Sequence, residues 1–166
     1  MKKIGLLSDT HGHVDERWED LFAEVDEIWH AGDIGSEEVA DYLASLKPFR
    51  AVYGNVDGVG LRSRFPEHLR FFCEEVDVWI THIGGYPGHY DVLVREQIRE
   101  DPPALFISGH SHILKVMYDK KLELLHINPG SAGYSGFHTR RTLVRFAIDG
   151  ADIRDLEVVE LGPRSR

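Results

Sequence analysis

The sequence predicts an α/β domain of two packed β-sheets with helices outside. Three observations predict it. The first part of the chain alternates short apolar runs with amphipathic stretches of helical spacing. The second part reads mostly as antiparallel strand joined by turns. Its 166 residues fit one compact domain, taken as 1–166, long enough to bury a core without disulfides or metal staples.

Ile4 to Leu7 is a short apolar run and reads as a buried strand. Val14 to Val25 follows as a helix, because Trp18, Leu21, Phe22 and Val25 recur at helical spacing with acidic residues between them. Asp26 to Ala31 is a second strand. Ser36 looks like an N-cap, with Glu37 and Glu38 in the first turn, where helix N-termini favour negative charge. That helix runs to about Leu46 and stops before Pro48. Phe49 to Tyr53 is a third strand, and Val59 to Pro66 reads as a loop. Leu69 to Cys73 and Val76 to Thr81 form a hairpin, followed by an irregular Ile83 to Gly88. His89 to Arg99 reads as a helix closed off by Asp101-Pro102-Pro103, and Ala104 to Ile107 as a buried strand. Ile113 to Tyr118 and Lys121 to Ile127 make a hairpin, and Asn128-Pro129-Gly130-Ser131 a turn. Thr139 to Ile148 and Asp152 to Glu160 pair through Asp149-Gly150, leaving Gly162 to Arg166 as a frayed tail.

Several apolar runs exit into polar, glycine-marked ends: Asp9-Thr10-His11-Gly12, Gly32-Asp33, Gly54-Asn55, Thr81-His82 and Gly109-His110-Ser111-His112. Any one of these is an ordinary turn or a chance Asp-x-His. Together they supply Asp9, His11, Asp33, Asn55, His82, His110 and His112, a set of oxygen and nitrogen donors suited to metal. In continued extended geometry Asp9 and His11 would point the same way. Strand-end loops of an α/β fold gather at one edge, where ligands usually bind. Seven donors exceed the needs of one four-coordinate ion and suit two ions that share a carboxylate. Mixed imidazole and carboxylate ligation favours Mn, Fe, Zn or Ni over Mg or Ca.

The formal net charge of −9 makes nonspecific DNA or RNA binding a poor expectation, because that binding depends on Lys and Arg neutralising phosphates. Bound metal would still make one pocket locally positive for a phosphorylated substrate. Cys73 is the only cysteine, so no internal disulfide forms and a reducing cytoplasm is the natural setting. No stretch approaches a membrane span, and the apolar run after Lys2-Lys3 is too short for a signal sequence. A homo-oligomer is compatible with all of this.

Asp9-Thr10-His11, Gly32-Asp33, Gly54-Asn55-Val56-Asp57, Thr81-His82 and Gly109-His110-Ser111-His112, in that order, resemble the calcineurin-like metallophosphoesterases, in particular the small YfcE-like phosphodiesterase group. Asn128-Pro129-Gly130-Ser131 also resembles a family segment. The resemblance implies a four-layer α-β-β-α sandwich of two mixed sheets. It implies that Asp9, His11 and His112 hold one divalent ion, manganese first, and that Asn55, His82 and His110 hold another, with Asp33 bridging both. A bridging hydroxide would then attack the phosphorus of a small phosphate ester, most simply a diester, in line. Asp33, Asn55, His82 and Asp57 are the implied catalytic group, with Asp57 orienting the site. Val56 departs from the family pattern, since many members carry a His there that helps the leaving group. His13, His89 and His138 are the substitutes to consider; His30, His68 and His126 have no motif behind them. The rival expectation is a protein-interaction scaffold on the same fold, because the retromer subunit also resembles this family.

Overall fold

The computed structural model describes residues 1–165. Two five-stranded mixed sheets pack face to face with helices on both outer faces. The first sheet has the order β12-β11-β1-β2-β3, from β1 (Lys2–Leu7), β2 (Glu27–His30), β3 (Phe49–Ala51), β11 (Arg140–Asp149) and β12 (Asp152–Pro163). The second has the order β4-β5-β8-β10-β9, from β4 (His68–Cys73), β5 (Val76–Thr81), β8 (Leu105–Ile107), β9 (Lys115–Asp119) and β10 (Leu124–Asn128). In each sheet three central or flanking strands run parallel, β1, β2 and β3 in one and β5, β8 and β10 in the other.

Three apolar layers hold the sandwich together. Ile4, Leu6, Trp29, Val144 and Phe146 of the first sheet meet Val78, Ile80, Leu105, Ile107 and Ile127 of the second. On the outer face of the first sheet, Leu7, Ile28 and Leu143 pack against Trp18 of α1 (Trp18–Leu21) and Val39, Ala40 and Leu43 of α2 (Glu37–Leu46). Leu61 of α3 (Val59–Arg64) joins them. On the outer face of the second sheet, Trp79, Phe106 and Leu124 pack against Tyr90, Val94 and Ile98, the last on α4 (Arg95–Glu100). Each such large side chain contributes about 1.5–3 kcal/mol by leaving water.

The Ser36 cap stands as expected: its Oγ accepts from Val39 N at 3.3 Å, and α2 ends at Leu46. Four expectations need correction. Val14 to Val25 is not one helix; only Trp18–Leu21 is α-helical. The periodic residues Trp18, Phe22 and Val25 are buried as expected, but the next carbonyls are taken by side chains. Arg145 donates to Leu21 O at 2.9 Å and Lys47 to Ala23 O at 3.0 Å. Val59 to Pro66 is not a loop, because Leu61 buries against the first sheet and Arg64 pairs with Asp41 of α2. His89 to Arg99 is not continuous helix. His89–Tyr90 (β7) pairs with Gly85–Tyr86 (β6), and the Asp91 carbonyl then accepts from Val94 and Arg95 to start α4. The last strand also runs on to Pro163, so the frayed tail is shorter than expected; Arg166 lies outside the described residues. Among the described residues no helix is long and apolar enough to cross a membrane.

Candidate metal centre

β1, β2, β3, β5 and β8 all deliver polar residues just past their carboxyl ends, and these meet at one edge of the sandwich. Two clusters form there. Asp9, His11 and His112 each place a donor atom within 4.8 Å of the others, and so do Asp33, His82 and His110. The clusters touch. His11 Nε2 lies 3.7 Å from both Asp9 Oδ1 and Asp33 Oδ2, and His82 Nε2 lies 3.1 Å from Asp33 Oδ2 and 3.8 Å from Asp9 Oδ1. His112 Nε2 is 3.1 Å from Asp9 Oδ1.

Each carboxylate is anchored by one oxygen and offers the other. Asp9 Oδ2 accepts from Ser8 Oγ at 2.6 Å and His110 N at 3.2 Å. Asp33 Oδ1 accepts from Val56 N at 3.0 Å. Asp9 Oδ1, His11 Nε2 and His82 Nε2 are buried and make no aligned hydrogen bond among the described residues. Orphaned polar atoms of this kind cost free energy unless something else satisfies them. Three convergent orphans of carboxylate and imidazole type fit divalent metal ions.

The backbone here is not extended. Asp9, His11, Asp33, His110 and His112 have φ between 46° and 71°, the left-handed region that non-glycine residues rarely enter. The expected parallel projection of Asp9 and His11 is therefore wrong in its geometry, although the two side chains do converge. Asp9 N, His11 N and Gly12 N donate to Gly32 O, Asp33 O and Ile34 O, so the two loops zip together and hold the strain. Asp57 adds a staple: its carboxylate accepts from Gly54 N at 2.8 Å, Gly35 N at 2.9 Å and Ile34 N at 3.2 Å. Both of its oxygens are taken by these backbone amides. Gly54 lies so close to Asp33 that a Cβ there would overlap it. Asn55 is exposed beside His82, and both line a cavity of about 290 Å³.

Two histidines without any motif matter to this geometry. His30 is fully buried at the end of β2. Its Nδ1 accepts from Gly32 N at 3.1 Å, and its Nε2 stands 2.9 Å from Thr10 Oγ1, the residue between Asp9 and His11. Burial lowers its pKa to about 4, so it stays neutral. His138 donates from Nε2 to Gly133 O at 2.8 Å, which leaves Nδ1 to accept from His112 Nδ1 at 3.1 Å. That contact turns the His112 lone pair on Nε2 toward Asp9. For His30 the sequence signal is its strand-end position, two residues before Gly32-Asp33; His138 stands out in the sequence only as a substitute for the missing acid.

Charge organises the cluster before any metal arrives. Burial alone would raise the Asp9 and Asp33 carboxyls, but the imidazoles around them outweigh it and hold both below the usual range. The Asp9 carboxylate raises His11, which burial opposes. Burial would lower His82, but the Asp33 and Asp9 carboxylates raise it. Their extra stability in the metal-free protein is thus complete below the ordinary His value of about 6.5 and fades as pH rises through the raised values. Metal must displace those protons. The metal-induced rise in melting temperature is therefore expected to be larger at pH 8 than at pH 6. His30 and His126, whose pKa burial lowers to about 4, stay neutral across this window and add nothing to the difference. Melting with manganese and with chelator at both pH values checks this; an equal rise at both would contradict it.

With this fold and this edge, the chain belongs to the calcineurin-like phosphoesterase superfamily, whose domain model matches residues 1–151. Divalent metal goes with that family. Among its relatives, a probable metallophosphoesterase of Methanothermobacter thermautotrophicus is 31% identical over 96% of this chain and 92% of its own. A phosphodiesterase of Methanocaldococcus jannaschii is 30% identical over 80% of this chain and 86% of its own. A solved archaeal phosphodiesterase superposes with a TM-score of 0.74 at 25% identity, covering 95% of this chain and 99% of its own. Vps29 of Chaetomium thermophilum superposes with a TM-score of 0.76 at 12% identity, covering 97% of each chain, and at that identity shares the fold alone.

Proposed function

We propose that this protein is a phosphodiesterase that works with two divalent ions, manganese first among them. Asp9, His11 and His112 would hold one ion, His82, His110 and Asn55 the other, and Asp33 would bridge them. The observation that carries the reading is the pair of touching clusters whose orphaned atoms converge. Asp33 Oδ2 supports the bridge, because it stands near an imidazole of each cluster. Bound ions of this class supply Lewis acidity and a hydroxide poised for in-line attack on phosphorus.

The chain's own residues do the rest. Asp57 and the backbone bonds between loops keep the carboxylates in place without metal. His82 donates from Nδ1 to Ala31 O at 2.7 Å, which directs its Nε2 inward. The open cavity beside Asn55 and His82 gives an ester group room to enter. The test has two parts: metal content by elemental analysis and anomalous diffraction, and turnover of a panel of phosphomonoesters and diesters with Mn, Ni, Zn or Mg. Two ions per chain with diesters preferred is the expected result. One ion only, with His82 and His110 bare under excess metal, would overturn the two-ion reading.

A further inference from the structure

A second cavity reaches the cluster at His110. It measures about 140 Å³ and is lined by Ile83, Tyr86, His110, Lys115, His126 and Asn128, among others. Ile83 also lines the larger cavity, so the two adjoin, one reaching His82 and the other His110. Each carries a cation against an aromatic ring. Arg62 lies 4.6 Å from the centre of Tyr53 in the larger one, and Lys115 lies 3.6 Å from the centre of Tyr86 in the smaller. A phosphodiester has two ester arms, and an edge with two cavities can seat both.

The smaller cavity has one feature that points to its ligand. His126 is fully buried on β10, and its Nδ1 donates to Phe106 O at 3.0 Å. The ring's other nitrogen, Nε2, has no hydrogen-bond partner among the described residues. Burial lowers the pKa of His126 to about 4, so at neutral pH Nε2 is an acceptor lone pair. An unpaired buried acceptor is costly and is relieved by a donor. A cavity well below the size usual for whole small-molecule ligands suits one short arm rather than a complete substrate.

We propose that the cavity beside His110 is a subsite for the smaller, hydroxyl-bearing ester arm of a phosphodiester, with His126 Nε2 accepting from its hydroxyl. This rests on the phosphodiesterase reading and narrows it. The larger arm then lies in the cavity of Tyr53, Arg62 and His68. Lys115 gives the small subsite a positive wall for the ester's charge, held in place over Tyr86.

Equilibrium binding tests this without turnover. The manganese-loaded protein is titrated calorimetrically with 2-hydroxyethyl phosphate and with propyl phosphate, which differ chiefly in a terminal hydroxyl against a methyl. The hydroxylated ester is expected to bind about tenfold more tightly, the equivalent of about 1.4 kcal/mol. His126→Leu should abolish that preference while leaving affinity for inorganic phosphate unchanged, and His126→Gln, which restores an acceptor, should recover part of it. Equal binding of the two esters by the natural protein, or no binding of either, overturns the subsite whether or not the leucine variant folds. The phosphodiesterase reading fails separately, if no diester in the panel is hydrolysed.

Discussion

Asp33→Asn is expected to reduce diester hydrolysis by more than about 100-fold, and by more than Asn55→Ala does. Loss of a residue that merely supports a metal ligand typically costs 10–100-fold in metal affinity or activity. On the two-ion reading Asp33 stands closer to the chemistry than that. Its Oδ2 faces imidazoles of both clusters, while its Oδ1 takes the Val56 amide. The substitution keeps the shape and removes a negative charge that both ions would feel. Asn55 offers only a neutral oxygen, from an exposed side chain at the border of the cavity. Turnover and metal content of the two variants at matched metal concentration decide the matter. Full activity in Asp33→Asn would contradict the bridge.

The second large effect concerns the leaving group. Aryl diesters are expected to turn over about 10²–10⁴-fold faster than alkyl diesters of similar size, the usual contribution of a positioned acid. Val56 stands half exposed where family members often carry a protonatable ring, and its amide is already spent on Asp33. His138 does not replace it, because both of its ring nitrogens are engaged, one with His112 and one with Gly133 O. His13 packs against Trp18 and Tyr134, and His89 against Tyr86. A nitrophenolate leaves without a proton; an alkoxide does not. Val56→His should speed alkyl substrates more than aryl ones and flatten the dependence of turnover on leaving-group pKa. A flat dependence in the natural protein would mean that another acid, such as His68 at the larger cavity, already serves or that a nonchemical step limits the rate.

The strand ends were legible in the sequence because each chemical residue follows an apolar run that has no other place than a sheet. Asp9, Asp33, His82, His110 and His112 could be gathered to one edge from that pattern alone. The local geometry could not. The left-handed backbone at Asp9 and His11 comes from bonds to Gly32, Asp33 and Ile34, more than twenty residues away. The same cause lies behind the helix errors. Trp18, Phe22 and Val25 keep helical spacing and are buried, yet Arg145 and Lys47 claim the carbonyls a longer helix would use. Gly58, Gly60 and Pro66 read as loop, but Leu61 and Arg64 find partners on the first sheet and on α2. His126 carries no local pattern at all, and His138 stands out only as a substitute acid; their places here exist only once β10 and the loop before β11 are in place.

The anchoring of Asp9 and Asp33 by a single oxygen each has a consequence for supply. That frame is held by Ser8, His110 N, Val56 N and the Asp57 staple, all groups of the chain itself. On the two-ion reading, ions would enter and leave by stepwise ligand exchange at a frame the chain itself holds. Occupancy would then follow the free-ion pool around the protein rather than its history of synthesis. Where nickel, copper or zinc runs high, the affinity order of first-row ions favours those intruders over manganese. The cell's metal buffering, as much as the protein, would then decide which enzyme this chain becomes.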